Sequence, residues 1–230
     1  MGLPAEDYCK VCEYPLKPGD TLGCWNCEQN KKQDKEKLNA WIEAIGGKRA
    51  WEDYTLARYQ ITEHNKAGYN AARSFDPRSE NLFFHGPRGA GKSHAAAIAK
   101  RPLIVNGARV RTVSMPTVLD EILAGIKQGG FAASTQEWLR VLIGSPILSV
   151  EDLGVEKPSE HVLGFYYKFI NGRYEQKKNG MIITCNYSLD DLENRWAVND
   201  AHGRIVSRLK EMCHGKIVSF LGMNDWRETK

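Results

Sequence analysis

The sequence has no long apolar segment. Hydrophobic residues make up 42% of its 230 residues, but the longest apolar stretches, 141–150 and 217–223, are interrupted by glycine, serine or proline. A membrane-spanning helix needs about 20 consecutive apolar residues, so we expect no membrane association. Residues 1–6 also lack a basic segment followed by an apolar one. The expected location is therefore cytoplasmic.

A strong charge of either sign is also missing. The chain has 32 lysines and arginines against 28 aspartates and glutamates, which gives a net charge of +4. Acidic and basic side chains are equal in number up to residue 75, so the small excess lies beyond it. Domains that bind nucleic acid are usually strongly basic. The charge is compatible with DNA binding but does not argue for it.

Cysteine is scarce after residue 27. Two of the six cysteines, Cys185 and Cys213, stand alone. The other four form two Cys-x2-Cys pairs: Cys9, Cys12, Cys24 and Cys27. In an intracellular protein such pairs indicate zinc rather than disulfides, because four thiolates complete a tetrahedral Zn²⁺ shell. We predict a structural zinc knob in residues 1–30 that folds around its metal; the alternative is four thiols without metal.

Short apolar runs alternate with helical patterns five times after residue 80. This order is typical of an α/β fold with a five-stranded parallel sheet and helices on both faces. The predicted strands are 82–85, 109–114, 147–151, 181–185 and 216–221. Ser134, Ser159 and Ser188 are placed to begin helices, and Pro102 should end or kink the helix after the first strand.

An amphipathic region precedes this alternation. Residues 38–72 are rich in tryptophan, tyrosine and alanine, and they predict two helices interrupted at Gly46-Gly47 and at Gly68. We therefore divide the chain into a zinc knob at 1–30, a helical linker at 31–75 and an α/β domain at 76–230.

A glycine-rich segment directly follows the first predicted strand and precedes a helical run. The segment matches G-x-x-x-x-G-K-[ST] and reads Gly86, Pro87, Arg88, Gly89, Ala90, Gly91, Lys92 and Ser93. Such a loop wraps triphosphate with its N–H groups, while its lysine reaches the β and γ phosphates and its hydroxyl binds Mg²⁺. We predict that residues 86–94, including His94, bind ATP. A chance glycine-rich turn is the alternative.

Two acids end the third predicted strand. In the usual pattern the first acid, ordinarily aspartate, binds Mg²⁺ and the second polarises the attacking water. Glu151 and Asp152 are assigned these roles in that order. Glutamate is one methylene longer than aspartate, which would favour a bridging water to Mg²⁺ and slow hydrolysis. The alternative is a pair of acids that only solvates the strand end.

Three further polar residues have the right types for this chemistry. Asn186 follows the fourth strand, where its amide could orient water beside the γ-phosphate, although a lone asparagine there is often a turn residue. Arg204 and Arg208 lie four residues apart on one face of a predicted helix. They are either solvated or supply an arginine finger to the γ-phosphate of a neighbouring subunit.

The order of these motifs resembles that of AAA+ ATPases. More narrowly, the chain is similar to DnaC/DnaI-like helicase loaders and IstB-like transposition helpers in segments 86–99, 150–154, 171–175 and 183–186. The resemblance implies that Arg208, rather than Arg204, is the finger and that Arg227 is a sensor 2 arginine. It also implies a module without the full C-terminal helical lid. Arg173 recurs in the family, but spacing assigns it no role.

These features predict an ATP-dependent helicase loader. Some loaders carry a zinc-binding N-terminal domain that contacts the helicase, so the expected partners are a replicative hexameric helicase, single-stranded DNA and further copies of the chain. One alternative is a transposition helper that binds duplex DNA and presents it to a transposase. Another is a nucleotide-gated adaptor that does not hydrolyse ATP, which Glu151 in the metal position suggests. A small-molecule kinase is the least favoured, because nothing resembles a substrate lid.

Overall fold

The predicted parallel sheet is present in the computed structural model, which describes residues 35–127, 131–197 and 202–220. All strand pairings are parallel. The five strands are β1 (Leu82–His85), β2 (Val110–Ser114), β3 (Ile147–Leu153), β4 (Met181–Cys185) and β5 (Ile217–Ser219). Their order in the sheet is β2-β3-β4-β1-β5. The predicted α/β class and the five-stranded sheet are thus confirmed.

The strand order determines which loops meet. The carboxyl ends of parallel strands lie at one edge of the sheet, where ligands bind in open α/β folds. β4 lies between β1 and β3, with Phe84 paired to Thr184 and Val150 paired to Ile183. The glycine-rich loop after β1, the acids at the end of β3 and Asn186 after β4 therefore converge on one edge.

Helices cover both faces of the sheet. They are α1 (Lys35–Ile45), α2 (Lys48–Asp53), α3 (Lys66–Arg73), α4 (Lys92–Val105), α5 (Met115–Lys127), α6 (Phe131–Gly144), α7 (Glu160–Glu175), α8 (Leu189–Arg195) and α9 (His202–Met212). In β1, Phe83 packs with residues of α5–α9, whereas Leu82 and Phe84 pack with residues of α3 and α4. Because both faces are covered, β1 is apolar at consecutive positions rather than at alternate ones.

The helix starts were predicted with mixed success. Ser188 forms a complete capping box with Asp191 at the start of α8, and the Ser159 side chain accepts a hydrogen bond from the Val162 N–H at the start of α7. The prediction for Ser134 was wrong, because α6 begins at residue 131 and contains it. Pro102 does not end its helix, which was one of the two effects predicted for it. Helix α4 continues past it to Val105, since the proline ring already fixes a helical φ and the last turn is buried.

The linker region contains three α-helices and a 3-10 turn (Leu56–Arg58) instead of two helices. Gly46 and Gly47 separate α1 from α2, as predicted, but Gly68 lies inside α3 and is buried. A Cβ at Gly68 would lie 2.2 Å from the Phe220 Cζ. Small size at that position lets α3 approach the residue that follows β5. Helices α1–α3 thus pack on the α/β part of the chain, and the division at residue 75 stays a prediction.

Arg173 has a structural environment that spacing could not predict. Its guanidinium is fully buried and donates to the backbone oxygens of Leu142, Ser145 and Asn179 at 2.9–3.0 Å. Burial lowers the pKa of Arg173 to about 10. The side chain satisfies carbonyls at the end of α6 and shortly before β4, and so ties together the entries to β3 and β4.

Several predicted features fall on residues that the structure does not describe. These are the four zinc-ligand candidates Cys9, Cys12, Cys24 and Cys27, together with Arg227. Over the described ranges, no three side chains of the metal-binding types gather into a site. None of the helices in those ranges has the length and apolar character needed to cross a bilayer. The zinc knob stays a prediction.

Candidate nucleotide-binding site

The glycine-rich loop turns sharply between β1 and α4. Gly91 caps α4 in the left-handed conformation, with φ 88°, which side chains with a Cβ rarely adopt. Gly86 has φ 144°, and a Cβ there would lie 3.0 Å from the Phe220 Cβ. The loop therefore needs glycine at both ends. It leads directly into the N-terminus of a 14-residue helix, where free N–H groups and the helix dipole favour an anion.

Lys92 lies inside this loop, and its Nζ is held by oxygen atoms. It donates to the backbone oxygens of Gly86 and Pro87 at 2.8 and 2.7 Å, and to the Asn186 Oδ1 at 3.0 Å. The last contact exists because β1 and β4 are neighbours in the sheet. The structure thus brings together the lysine and the asparagine that the sequence placed 94 positions apart.

A cavity of about 1230 Å³ opens in front of the loop. On one side it is lined by residues 88–94, which include Arg88, Gly89, Ala90, Ser93 and His94. The ends of β3 and β4 contribute Asp152, Val155 and Asn186. Ser93 and Asp152 are hard oxygen donors of the kind that Mg²⁺ prefers, so the residues that line this cavity fit that ion.

The opposite wall is formed by the linker, a contribution that the sequence analysis missed. Residues 49–65 supply Tyr54, Tyr59 and Asn65, among others. The Tyr54 ring stacks on the His94 ring at 5.2 Å, and the Tyr59 ring meets it edge-on at 4.9 Å. The aromatic composition of 51–69 was the available signal, but nothing in the order of residues showed that this segment would face the glycine-rich loop.

Two polar groups of this aromatic wall are unusual. The His94 Nε2 lies 2.7 Å from the Thr55 backbone oxygen, so Nε2 carries the hydrogen and Nδ1 can accept. Burial lowers the pKa of His94, which favours this neutral ring. Tyr59 is 8% exposed, and its hydroxyl has no hydrogen-bond partner among the described residues. Burial raises the pKa of Tyr59, so the hydroxyl stays protonated.

The two acids at the end of β3 lie in different surroundings. Asp152 lines the cavity, and its backbone N–H donates to the Thr184 Oγ1 at 3.2 Å. Glu151 does not line the cavity; its Oε1 lies 3.3 Å from the Nζ of the buried Lys100. The structure therefore brings only one of the two predicted acids to the site formed by Lys92 and Asn186.

The two arginines of α9 lie outside the cavity lining. Arg204 is exposed. The Arg208 guanidinium lies over the rings of Tyr167 and Tyr174, at 5.2 and 5.4 Å from their centres, and Nη1 donates to the Arg204 backbone oxygen at 3.4 Å. Within one molecule, Arg208 is held against α7. A role at a γ-phosphate would therefore require a second copy of the chain.

The model of the IstB-like ATP-binding protein family matches residues 28–224. This chain belongs to that family. The match covers all five strands, the glycine-rich loop and the linker helices α1–α3.

Individual relatives fall into two groups. A putative ATP-binding protein of insertion sequence IS21 from Pseudomonas aeruginosa is 28% identical over 121 residues, which are 53% of this chain and 43% of that protein. The replicative helicase loader DnaC of Buchnera aphidicola is 22% identical over 182 residues, 73% of this chain and 74% of the loader. The chain thus spans less than half of the insertion-sequence relative.

Solved structures establish the fold independently of close sequence similarity. The crystal structure of the DnaC helicase loader superposes with a TM-score of 0.56 at 24% identity, covering 80% of this chain and 99% of the loader. The chain therefore has the α/β fold of AAA+ proteins, as the sequence predicted.

Proposed function

We propose that this protein is an ATP-dependent helicase loader. In this role it binds ATP with Mg²⁺, associates with further copies of itself and with single-stranded DNA, and delivers a hexameric replicative helicase. The proposal that the protein binds ATP rests on the hydrogen bond between the Lys92 Nζ and the Asn186 Oδ1, 3.0 Å long, beside a large cavity. That contact supports the proposal, because it brings together an ammonium that could bind a terminal phosphate and an amide that could orient water beside it.

Each wall of the cavity would take a different part of ATP. The N–H groups of the glycine-rich loop and the Lys92 Nζ would take the phosphates. Ser93 and an acid at the end of β3 would hold Mg²⁺, which neutralises phosphate charge. The base would lie against Tyr54, Tyr59 and His94, whose flat rings offer stacking area.

Assembly would complete the site. Asn186 would orient the attacking water, and Arg208 of a neighbouring copy would stabilise the charge that develops on the γ-phosphate. In a single molecule Arg208 lies over two tyrosines, so it must leave them to reach a neighbour. Hydrolysis would then depend on contact between copies, and nucleotide binding would not.

The extent of the match within this chain favours a loader over a transposition helper. The DnaC relative matches 73% of this chain, whereas the IS21 relative matches 53% of it. The zinc knob predicted for residues 1–30 would contact the helicase. The family model and the insertion-sequence relative support the alternative, a helper that presents duplex DNA to a transposase.

A third reading is an adaptor that binds ATP without hydrolysing it. The observation that favours it is the contact between Glu151 and Lys100, which leaves a single acid at the cavity. Normal ATP binding with no turnover, even when DNA and partner are present, would select this reading.

The test compares wild type with Lys92→Ala in two assays on the full-length, zinc-loaded protein. The first measures binding of a fluorescent ATP analogue. The second measures transfer of a purified hexameric helicase onto single-stranded DNA. Loss of the lysine removes charge-assisted hydrogen bonds worth about 1.5–3 kcal/mol, so we expect ATP affinity to fall roughly 10- to 150-fold and transfer to stop.

The matched control is Lys168→Ala, which removes an exposed lysine of α7 and should change neither result. ATP binding without any effect on the helicase, together with binding to duplex DNA, would reject the loader in favour of the transposition helper. Absence of saturable ATP binding by the wild type would reject all three readings.

A further inference from the structure

At the end of β3, the neighbouring side chains of Glu151 and Asp152 lie in different surroundings. Val150 pairs with Ile183 and Leu153 pairs with Cys185, so two residues of β3 face one residue of β4 in this bulge. Asp152 takes a left-handed conformation there, with φ 57°. Bulges re-aim side chains beside active sites. Here the bulge leaves the exposed Asp152 carboxylate in the cavity wall.

Glu151 lies outside the cavity lining and contacts Lys100. Lys100 belongs to α4, the helix that begins at the glycine-rich loop. The Lys100 side chain is 0% exposed and that of Glu151 is 25% exposed. The Lys100 Nζ also donates to the Ile45 backbone oxygen at 2.9 Å and to the Thr112 Oγ1 at 3.1 Å. Three oxygens therefore surround one buried ammonium, and Glu151 is the only carboxylate among them.

This arrangement opposes movement of Glu151 toward the phosphates. A buried charge that loses its partner is strongly destabilised, and the two remaining oxygens are neutral. Burial alone lowers the pKa of Lys100, while Glu151 raises it, so the carboxylate helps to keep the amine charged. Asp152 has no comparable restraint from a cation in the described part of the chain.

We propose that Asp152, with Ser93, is the acid that serves Mg²⁺ in this protein, and that Lys100 is a positioning residue that holds Glu151 away from the metal. The inference rests on the proposed function, because it requires Mg²⁺-ATP in the cavity. It moves the metal role from Glu151, to which the sequence assigned it, to Asp152. It also gives Lys100 a role that no sequence motif indicates. The hydrogen-bond partners of Lys100 come from α1, β2 and β3, which are far from it in sequence.

The first experiment measures how much Mg²⁺ is needed for half-maximal binding of a fluorescent ATP analogue, without following hydrolysis. Asp152→Asn should raise that concentration about tenfold or more, the scale reported for lost support of a metal site. Glu151→Gln should change it less than about twofold, because the amide oxygen can still accept from Lys100. The opposite order, with the large shift in Glu151→Gln, would overturn the proposal.

The second experiment tests Lys100 itself. Adding Lys100→Met to Asp152→Asn frees Glu151, whose longer side chain can then turn toward the metal. We expect the Mg²⁺ requirement to recover at least about threefold relative to Asp152→Asn alone. A purely structural lysine would not produce this recovery, and its absence in a double variant with an unchanged melting temperature would overturn the positioning role.

A folding control keeps the result interpretable. Glu151→Gln could lower the melting temperature, because it leaves the Lys100 ammonium without a carboxylate. The double variant Glu151→Gln with Lys100→Met removes that ammonium as well, and it should keep a near-normal Mg²⁺ requirement. A large increase in that requirement would count against the proposal. Failure of the wild type to bind ATP at any Mg²⁺ concentration would instead reject the proposed function, and this inference with it.

Discussion

The two walls of the cavity differ in how they are encoded. The phosphate wall is one continuous segment, 88–93, whose glycines set the local backbone and whose lysine and serine add side-chain groups. The aromatic wall combines residues of 49–65 with His94, and these meet only because α1–α3 pack on the sheet. The comparison shows that a motif reveals a site when neighbours in sequence are also neighbours in the site.

The walls also differ in what their residues contribute. Along the phosphate wall most working groups are backbone N–H donors, which every residue except proline carries, so at the glycines the sequence must specify only a conformation. Along the aromatic wall the working groups are side chains, and their usefulness depends on position. Glycine substitutions in the first wall should therefore act through backbone geometry, and changes in the second wall through single side-chain atoms.

Of the changes that test the difference between the two walls, Gly91→Val in the phosphate wall should have the largest effect on ATP affinity. Gly91 is left-handed, and its Cβ would lie 3.9 Å from the Tyr59 ring. A side chain in that conformation costs about 1–2 kcal/mol, and relief of that strain would displace the donors. We expect ATP affinity, measured by calorimetry, to fall at least about tenfold.

Gly107→Val provides the matched control. Gly107 has a similar φ of 84°, but a Cβ there would meet nothing within 4 Å, and it does not line the cavity. It should show a comparable loss of stability with normal ATP affinity. Equal losses of affinity in the two variants would mean that the glycine-rich loop has no special role.

A smaller effect is expected from Tyr59→Phe on the aromatic wall. The buried hydroxyl lacks a partner among the described residues, so its removal should stabilise the nucleotide-free protein by about 1 kcal/mol. If ATP supplies the missing partner, the same change should weaken ATP about fivefold. Urea unfolding and ATP titration measure the two effects. Tyr187→Phe, outside the cavity lining, serves as the control, and unchanged ATP affinity in Tyr59→Phe would separate this hydroxyl from nucleotide recognition.

The smallest effect is a dependence of stability on pH that involves His94. Burial lowers the pKa of His94 in the folded protein, whereas the unfolded chain ionises near pH 6.5. Below that pH the unfolded chain holds more protons, so the free energy of unfolding should fall as the pH drops. Above it, this contribution is complete and constant.

Urea unfolding at pH 7.5 and at pH 5.5 measures this difference. His94→Asn should reduce it but not abolish it, because burial also lowers the pKa of His85, with the same sign. A pH dependence identical in wild type and His94→Asn would show that the histidine is not buried as a neutral ring.

Local signals account for what the sequence predicted well. The core of each strand was found because runs of apolar residues mark a sheet covered on both faces. Ser188 was found because a capping box involves four consecutive residues. The errors arose where packing overrode local preference: Ser134 lies within α6, Pro102 lies within α4, and Gly68 lies within a helix because Phe220 requires its small size.

The sequence by itself determined the α/β order, the glycine-rich loop and the kinds of groups that could handle a triphosphate, because these depend on short-range patterns. Only the tertiary structure decided which groups meet. In the folded chain Asn186 accepts a hydrogen bond from Lys92, Glu151 pairs with the buried Lys100, and Tyr59 lines the cavity. The physical reason is that strand order, a one-residue bulge and helix packing determine distances between residues far apart in the chain.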